Sequence, residues 1–213
     1  VGVTASLVDD YLTIDGKPFV GDERIEAKKV FGNELRPTLR DPRLSQTVCM
    51  PGQQLRPDDK APYYVVPPLI GTSSYNQNMT GYSLLKHVQI DYTGSLDAEF
   101  KGATPAIQFR YADILLSYAE ALNNLTTTYE IPSWDGSTTY IVGRDIEEMR
   151  RGVKPVRMRA GLPDYDNTVY QDPKLFFNKL VHERQIEFFN ENQRFFDLRR
   201  WKIAEELESE QIY

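Results

Sequence analysis

The sequence predicts a mainly α-helical protein that also contains a loop-rich region with a few short strands. Of its 213 residues, 13 are glycine and 13 are proline, and turn-forming pairs such as Pro51-Gly52 and Pro67-Pro68 are concentrated in residues 1–104. The longest apolar patterns with helical spacing lie in residues 105–213. We therefore expect a loop-rich region, residues 1–104, and a helical region, residues 105–213, as two parts of one domain.

The clearest predicted helix covers residues 105–124. Thr104 can act as its N-cap, and Pro105 suits the first helical position, where its missing N–H is not needed. The remaining surface of this helix is so widely apolar that we expect other elements to enclose it on most sides. Its polar residues share one narrow stripe that consists of Arg110, Asp113, Ser117, Glu120 and Asn124.

The other predicted elements follow from turn and cap signals. Residues 126–143 have no helical period and predict an exposed loop or hairpin. A helix over residues 145–151 is expected to end at Gly152 and Pro155, and Gly161 is a second stop signal. The last long helix is predicted to begin at Asp172-Pro173, and a further helical segment covers residues 194–206. Short strands are predicted at residues 63–66 and 86–92.

Composition and charge exclude several classes of protein. There are 25 Lys and Arg residues against 31 Asp and Glu residues, for a formal net charge of −6, and no basic stripe of the kind that binds nucleic acid. No apolar stretch approaches the roughly 18 residues that a membrane-spanning helix needs. Cys49 is the single cysteine, so an internal disulfide is excluded. Because the sequence starts at Val1 without a leader, we expect a mature or truncated chain.

Motifs of the common catalytic classes are missing from the sequence. Neither His87 nor His182 has a second histidine at zinc-binding spacing, and there is no glycine-rich phosphate loop and no serine elbow. Cys49 is predicted to be a small buried thiol. We expect no catalytic residue and no cofactor. A glycoside hydrolase remains an alternative, because folding can bring together a pair of carboxylates that chain spacing does not reveal.

Two polar clusters have both a structural and a functional interpretation. Asp164, Asp166 and Asn167 predict a solvated turn rather than a calcium site, because the rest of a calcium-binding loop is missing, so we expect no metal. Charged and aromatic residues are mixed between Glu183 and Trp201. This mixture is typical of an anion site or of an ion-pair network that joins the last two helices, and we favour the network.

Aromatic residues in the predicted loops are the candidate ligand-binding residues. Their rings can stack on the C–H faces of sugars while neighbouring amides and hydroxyls bind the sugar hydroxyls. The structural alternative is that these rings cover the core. The candidates are Tyr63, Tyr64, Tyr75, Tyr129, Trp134 and Tyr140.

Four segments in fixed order carry a family resemblance. Residues 40–44 read RDPRL, residues 110–122 read RYADILLSYAEAL, residues 156–161 read VRMRAG, and residues 182–201 read HERQIEFFNENQRFFDLRRW. Together they resemble the motifs of the SusD/RagB family, the nutrient-binding outer-membrane lipoproteins of Bacteroidetes. One departure is Pro155, which lies where the family usually continues a helix, so the helix there is expected to be short or shifted.

The resemblance implies a fold, a function and a location. The chain would be the C-terminal part of a SusD-like fold, whose long helices pack with a tetratricopeptide-like scaffold. It would capture a glycan, or in some members a peptide, for a SusC-like TonB-dependent transporter, without catalysis and without a cofactor. The protein would lie at the cell surface of the outer membrane, anchored through a lipidated cysteine upstream of this chain.

A helical scaffold module that binds no ligand is a further alternative. The family's ligand residues lie on variable loops, so none is carried over. Without the rest of the scaffold, we expect residues 1–213 to expose part of the apolar surface of the helix predicted over residues 105–124, and to aggregate or to need the missing half.

Overall fold

The structure is a computed structural model that describes residues 2–29, 35–36, 38–49, 80–87 and 107–207. The chain divides into two compact units. The first comprises Val1–Ala106 and Ala160–Leu162, and the second comprises Ile107–Arg159 and Pro163–Tyr213. Most of the elements in both units are helices, which confirms the predicted mainly α fold class.

The described part of the first unit contains short helices and one small antiparallel sheet. Val48 pairs with Leu84, and Cys49 pairs with Ser83. The strand predicted at residues 63–66 lies outside the described residues, as does most of the one predicted at 86–92, whose first two residues form a turn instead. The elements are α1 (Ala5–Asp10), α2 (Gly21–Lys28), α3 (Pro42–Thr47), β1 (Val48–Cys49) and β2 (Ser83–Leu84).

The segment RDPRL has a structural role in the first unit. Asp41 caps α3 by accepting a hydrogen bond from the backbone N–H of Arg43, and Pro42 takes the first helical position. Arg40 is fully buried and donates to the carbonyl oxygens of Val8 and Tyr11, the latter at 2.8 Å. The buried guanidinium thus satisfies carbonyl oxygens at the C-terminal end of α1, where the helix offers no further N–H partner.

The second unit is a group of helices with one hairpin. Its helices α4 and α5 lie against each other, and α7 packs on α4 and α6. The core is formed mainly by residues of α4, α5 and α7, among them Leu116, Val153 and Leu180. The elements are α4 (Tyr111–Asn123), β3 (Tyr129–Pro132), β4 (Thr139–Val142), α5 (Ile146–Arg159), α6 (Asn167–Gln171), α7 (Pro173–Glu187), α8 (Gln193–Trp201) and α9 (Ala204–Leu207).

Helix α4 begins later than its sequence predicts. Residues 107–110 are not helical, and Arg110 is extended with φ −141° and ψ 168°. In this position its guanidinium donates to the carboxylates of Glu187 and Glu191. The prediction relied on the local signal at Pro105, which lies outside the described residues, and had no information about these distant ion pairs.

The prediction that α4 is enclosed on most sides is wrong for the described part of the chain. Ala112, Leu116, Ala119 and Leu122 are buried. A second group of large apolar residues on or next to α4 is exposed, and it consists of Phe109, Tyr111, Ile114 and Tyr118. One face of the helix therefore serves the core, and another faces outward.

Helix α5 does not end at Gly152, as the sequence predicts, but continues through Pro155 to Arg159. At Gly152 the helix meets α4 so closely that a Cβ would lie 2.5 Å from the carbonyl oxygen of Leu115 and 2.8 Å from the Cβ of Ala119. Glycine is thus needed for helix packing rather than for termination. The burial of Val153 and Val156 on the core side offsets the backbone hydrogen bond that Pro155 cannot make.

The last helices agree better with their sequence signals. Asp172 caps α7, with Pro173 at the first position, as predicted. Phe176 and Leu180 point into the core. The predicted segment 194–206 is two helices, because Lys202 adopts a left-handed conformation with φ 60° and ends α8.

Candidate functional site

The charged residues of three of the family-like segments form ion pairs in the second unit. Arg184 donates to Asp197 at 2.8 Å and to Asp113 at 3.3 Å, which joins α7, α8 and α4. Arg200 also donates to Asp197 at 2.8 Å and reaches Glu120 of α4. The polar stripe of α4 therefore faces α7 and α8, and the favoured interpretation of an ion-pair network is confirmed.

A second set of ion pairs attaches α5 to α7. Arg157 donates to Glu183 at 2.7 Å, and each of these two side chains is only 1% exposed. The Arg157 guanidinium also lies over the ring of Tyr165 at 4.0 Å and donates to the carbonyl oxygen of Pro163 at 2.8 Å. Glu187 accepts hydrogen bonds from both Arg110 and Arg159. These contacts join the helices, and each of these charged side chains is paired with one of opposite charge.

The other polar candidates from the sequence also have structural roles. The exposed Asp166 caps α6, which confirms the predicted solvated turn at this residue. Asp164 is instead part-buried and accepts hydrogen bonds from Arg150 and from the hydroxyl of Tyr170. Within the described ranges, no group of three or more His, Cys, Asp or Glu residues is placed to hold a metal ion. Cys49 is buried, as predicted, and burial raises the pKa of its thiol to about 11.

A cavity of about 310 Å³ lies between α4 and α5. Tyr111, Leu115 and Val156 are among the residues that line it, and Arg110 and Arg159 supply its charge. Both guanidiniums already contact Glu187. The cavity is thus largely apolar and its positive charge is offset, which makes it a poor site for a polar ligand.

The hairpin β3–β4 presents exposed aromatic residues in the second unit. Tyr129 pairs with Val142, and Ile131 pairs with Tyr140. Paired residues of an antiparallel ladder point to the same face, so these four side chains share one face. Tyr129 is 48% exposed, and Tyr140 is 56% exposed. The hairpin therefore presents two tyrosine rings, diagonal to each other, to solvent.

The tip of the hairpin carries a tryptophan that is 98% exposed, Trp134. The turn around it is well ordered by hydrogen bonds: the Asp135 carboxylate accepts from the hydroxyls of Ser133 and Ser137, at 2.7 and 2.8 Å, and from the Ser137 N–H at 3.1 Å. These bonds lower the pKa of Asp135 to about 2. Gly136 has φ 69°, a left-handed conformation that favours glycine at this position of the turn.

The base of the hairpin is fixed to the core. Val142 packs against the hydrophobic cluster of the second unit. Directly after it, Gly143 passes so close to Thr128 that a Cβ would lie 3.1 Å from the Thr128 hydroxyl oxygen. Arg144 then donates to Asn123 at 3.2 Å and to the carbonyl of Tyr170, and burial lowers its pKa. The exposed rings thus project from a supported base.

The structure brings three of the six candidate residues together and leaves three outside the described residues. Tyr129, Trp134 and Tyr140 lie on one hairpin, whereas residues 63, 64 and 75 are not described. The sequence reasoning missed the exposed apolar residues beside them, Ile131 and Ile141. The β-branched and aromatic residues on both sides of the Asp135-Gly136 turn were the available signal.

No helix in the described ranges is long and apolar enough to cross a membrane.

Comparisons with known proteins agree on one family. The family model described as the SusD family matches residues 1–213. A solved SusD-like protein from Bacteroides fragilis NCTC 9343 is 30% identical, with a TM-score of 0.68 over 96% of this chain and 36% of its own length. A solved SusD-like carbohydrate binding protein from the same strain is 24% identical, with a TM-score of 0.64 over 95% of this chain and 36% of its own. This chain therefore spans little more than a third of either structure. The comparison with curated proteins found no match.

Proposed function

The chain belongs to the SusD family, and from this membership we propose that it is the C-terminal part of a cell-surface nutrient-binding protein that captures an oligosaccharide for import. In this proposal a SusC-like TonB-dependent transporter in the outer membrane takes up the captured sugar. A lipid anchor upstream of this chain holds the protein at the surface. The solved relative described as carbohydrate binding supports a sugar as the ligand.

The observation that carries the proposal is the exposure of Trp134. At 98% exposure the indole contributes almost nothing to the core, yet the turn that presents it is held by three hydrogen bonds to Asp135. Because these bonds already fix the turn that carries the indole, its backbone loses little conformational freedom when a flat sugar face stacks on the ring. Tyr129 and Tyr140 add two rings with hydroxyl groups on the supported strands.

The hairpin suits binding rather than glycoside hydrolysis. Its two carboxylates are Glu130 and Asp135. A hydrolase needs a general acid whose pKa is raised, whereas the pKa of Asp135 is lowered to about 2. Glu130 lies on the face of the hairpin opposite to Tyr129 and Tyr140. We therefore propose capture without chemistry.

Isothermal titration of the protein with soluble oligosaccharides tests the proposal. Trp134→Ala is expected to weaken binding at least fivefold, which corresponds to about 1 kcal/mol of lost stacking. Phe196→Ala is the matched control, because Phe196 is an exposed ring on α8, outside the hairpin. Binding of peptides but of no oligosaccharide would favour the peptide-capturing branch of the family. Equal loss in both variants would contradict the hairpin as the site.

A further inference from the structure

The hairpin carries negative charge and no positive charge. Residues 126–143 contain Glu130 and Asp135 but no lysine or arginine. The first basic residue after them, Arg144, is directed away from the strands, because it donates to Asn123 and to the carbonyl of Tyr170. A ligand that binds the face carrying Tyr129 and Tyr140 therefore meets no positively charged side chain of the hairpin.

The carboxylate at the hairpin tip is held in place by the turn, next to Trp134 in the chain. Asp135 directly follows Trp134, and its Oδ1 accepts hydrogen bonds from Ser133 and Ser137. These bonds favour the ionised form, since they are made to the charged oxygen. A sugar stacked on Trp134 thus lies next to a permanent negative charge that cannot turn away without breaking the turn.

The strand register orders two of the rings along the hairpin. Tyr140 lies two residues nearer the turn than Tyr129, because it pairs with Ile131. Two residues of a strand span about 7 Å at roughly 3.3 Å per residue. Trp134 lies in the turn beyond the strands.

We propose that this hairpin selects uncharged oligosaccharides and discriminates against glycans that carry carboxylates or sulfates. The inference rests on the proposed function, because it assigns a ligand class to the same hairpin. Carboxylated or sulfated sugars stacked on Trp134 meet like charge at Asp135, and Coulomb repulsion in water over roughly 5–10 Å is weak but not negligible. We expect about two- to fourfold weaker binding of the acidic form at low ionic strength, and a smaller difference at high salt.

Matched sugar pairs test the inference. Maltotriose, cellotriose and mannotriose are titrated into the protein, each as the neutral sugar and as the derivative oxidised to a carboxylate at carbon 6. The variant Asp135→Asn removes the charge next to Trp134 and keeps the side-chain shape, so it is expected to reduce the ratio of the two affinities. Glu130→Gln removes a charge on the opposite face of the hairpin and is expected to change the ratio less. Glu205→Gln, an exposed acid on α9, is expected to leave that ratio unchanged.

The outcomes separate the inference from the function on which it rests. Weaker binding of the oxidised sugar, with a difference in affinity that shrinks in salt and in Asp135→Asn, supports the inference. Equal or tighter binding of the oxidised sugar, lost in Trp134→Ala, overturns the inference and leaves the proposed function intact. Failure of all six sugars and of a glycan array to bind overturns both.

Discussion

Substitution of Gly152 by alanine tests whether the close contact of α4 and α5 organises the helical unit. The added Cβ would lie 2.5 Å from the Leu115 carbonyl oxygen, 2.8 Å from the Ala119 Cβ and 3.3 Å from the Ala119 N. Two of these three atoms are backbone, so no rotamer change relieves the overlap. The two helices must separate instead.

The expected magnitude combines two opposing effects. Alanine in a helix interior is favoured over glycine by about 0.5–1 kcal/mol. Overpacking of a tight contact costs about 1–3 kcal/mol, because neighbouring groups must move. We therefore expect Gly152→Ala to lower the free energy of unfolding by roughly 1–2 kcal/mol, even though the substitution raises helix propensity.

Urea unfolding followed by far-UV circular dichroism measures this change. Lys154→Ala is the control, since Lys154 is exposed on the same helix and is expected to change stability by less than about 0.5 kcal/mol. A Gly152→Ala protein that is as stable as the wild type, or more stable, would refute the close packing of α4 against α5.

Three further predictions concern the buried pair, the cysteine and the exposed face of α4. Glu183→Gln leaves Arg157 buried without its counter-charge and is expected to cost about 3–5 kcal/mol in urea unfolding; a loss below 1 kcal/mol would contradict the pair. The pKa of Cys49 is raised from 9.0 to about 11, so the folded state favours the neutral thiol. The stabilisation that this preference gives the folded state is complete below pH 9.0 and is lost as the pH rises to about 11. At neutral pH the native thiol should react with iodoacetamide far more slowly than the unfolded one, and equal rates would contradict its burial. Ile114→Glu should reduce self-association of residues 1–213 in light scattering while leaving stability within about 0.5 kcal/mol, and unchanged association would show that this face is not the cause.

The parts of the fold that local signals control could be predicted from the sequence. Asp172-Pro173 predicts the start of α7, because a side-chain cap and a proline act within one turn of each other. The turn around Asp135 and Gly136 belongs to a hairpin for the same local reason.

The parts that distant contacts control could not be predicted in this way. A glycine such as Gly152 is a typical helix-end signal in a sequence. Here it is needed because Leu115 and Ala119, more than 30 residues away along the chain, leave no room for a Cβ. The start of α4 depends on Arg110, whose partners Glu187 and Glu191 lie 77 and 81 residues further on. Local spacing predicted the charged stripe of α4 but not the groups that face it.

The sequence predicts which residue types form the candidate site, but not how they are arranged. The composition of residues 126–143 indicates aromatic residues in a segment that is not helical. The strand register then shows that Tyr129 and Tyr140 share a face. Sequence alone does not give that register, since a slip of one residue would move every side chain to the other face. It also gives no measure of how fully Trp134 is exposed.

The two tryptophans of the chain provide the most direct measurement of the central claim. Trp134 is 98% exposed at the hairpin tip, whereas the indole N–H of Trp201 donates to Glu120 at 2.7 Å within the helical framework. In a nitrogen–proton NMR spectrum, titration with a bound oligosaccharide is predicted to move the indole signal of Trp134 and leave that of Trp201 in place. Saturable binding that leaves the Trp134 signal unchanged would contradict the account.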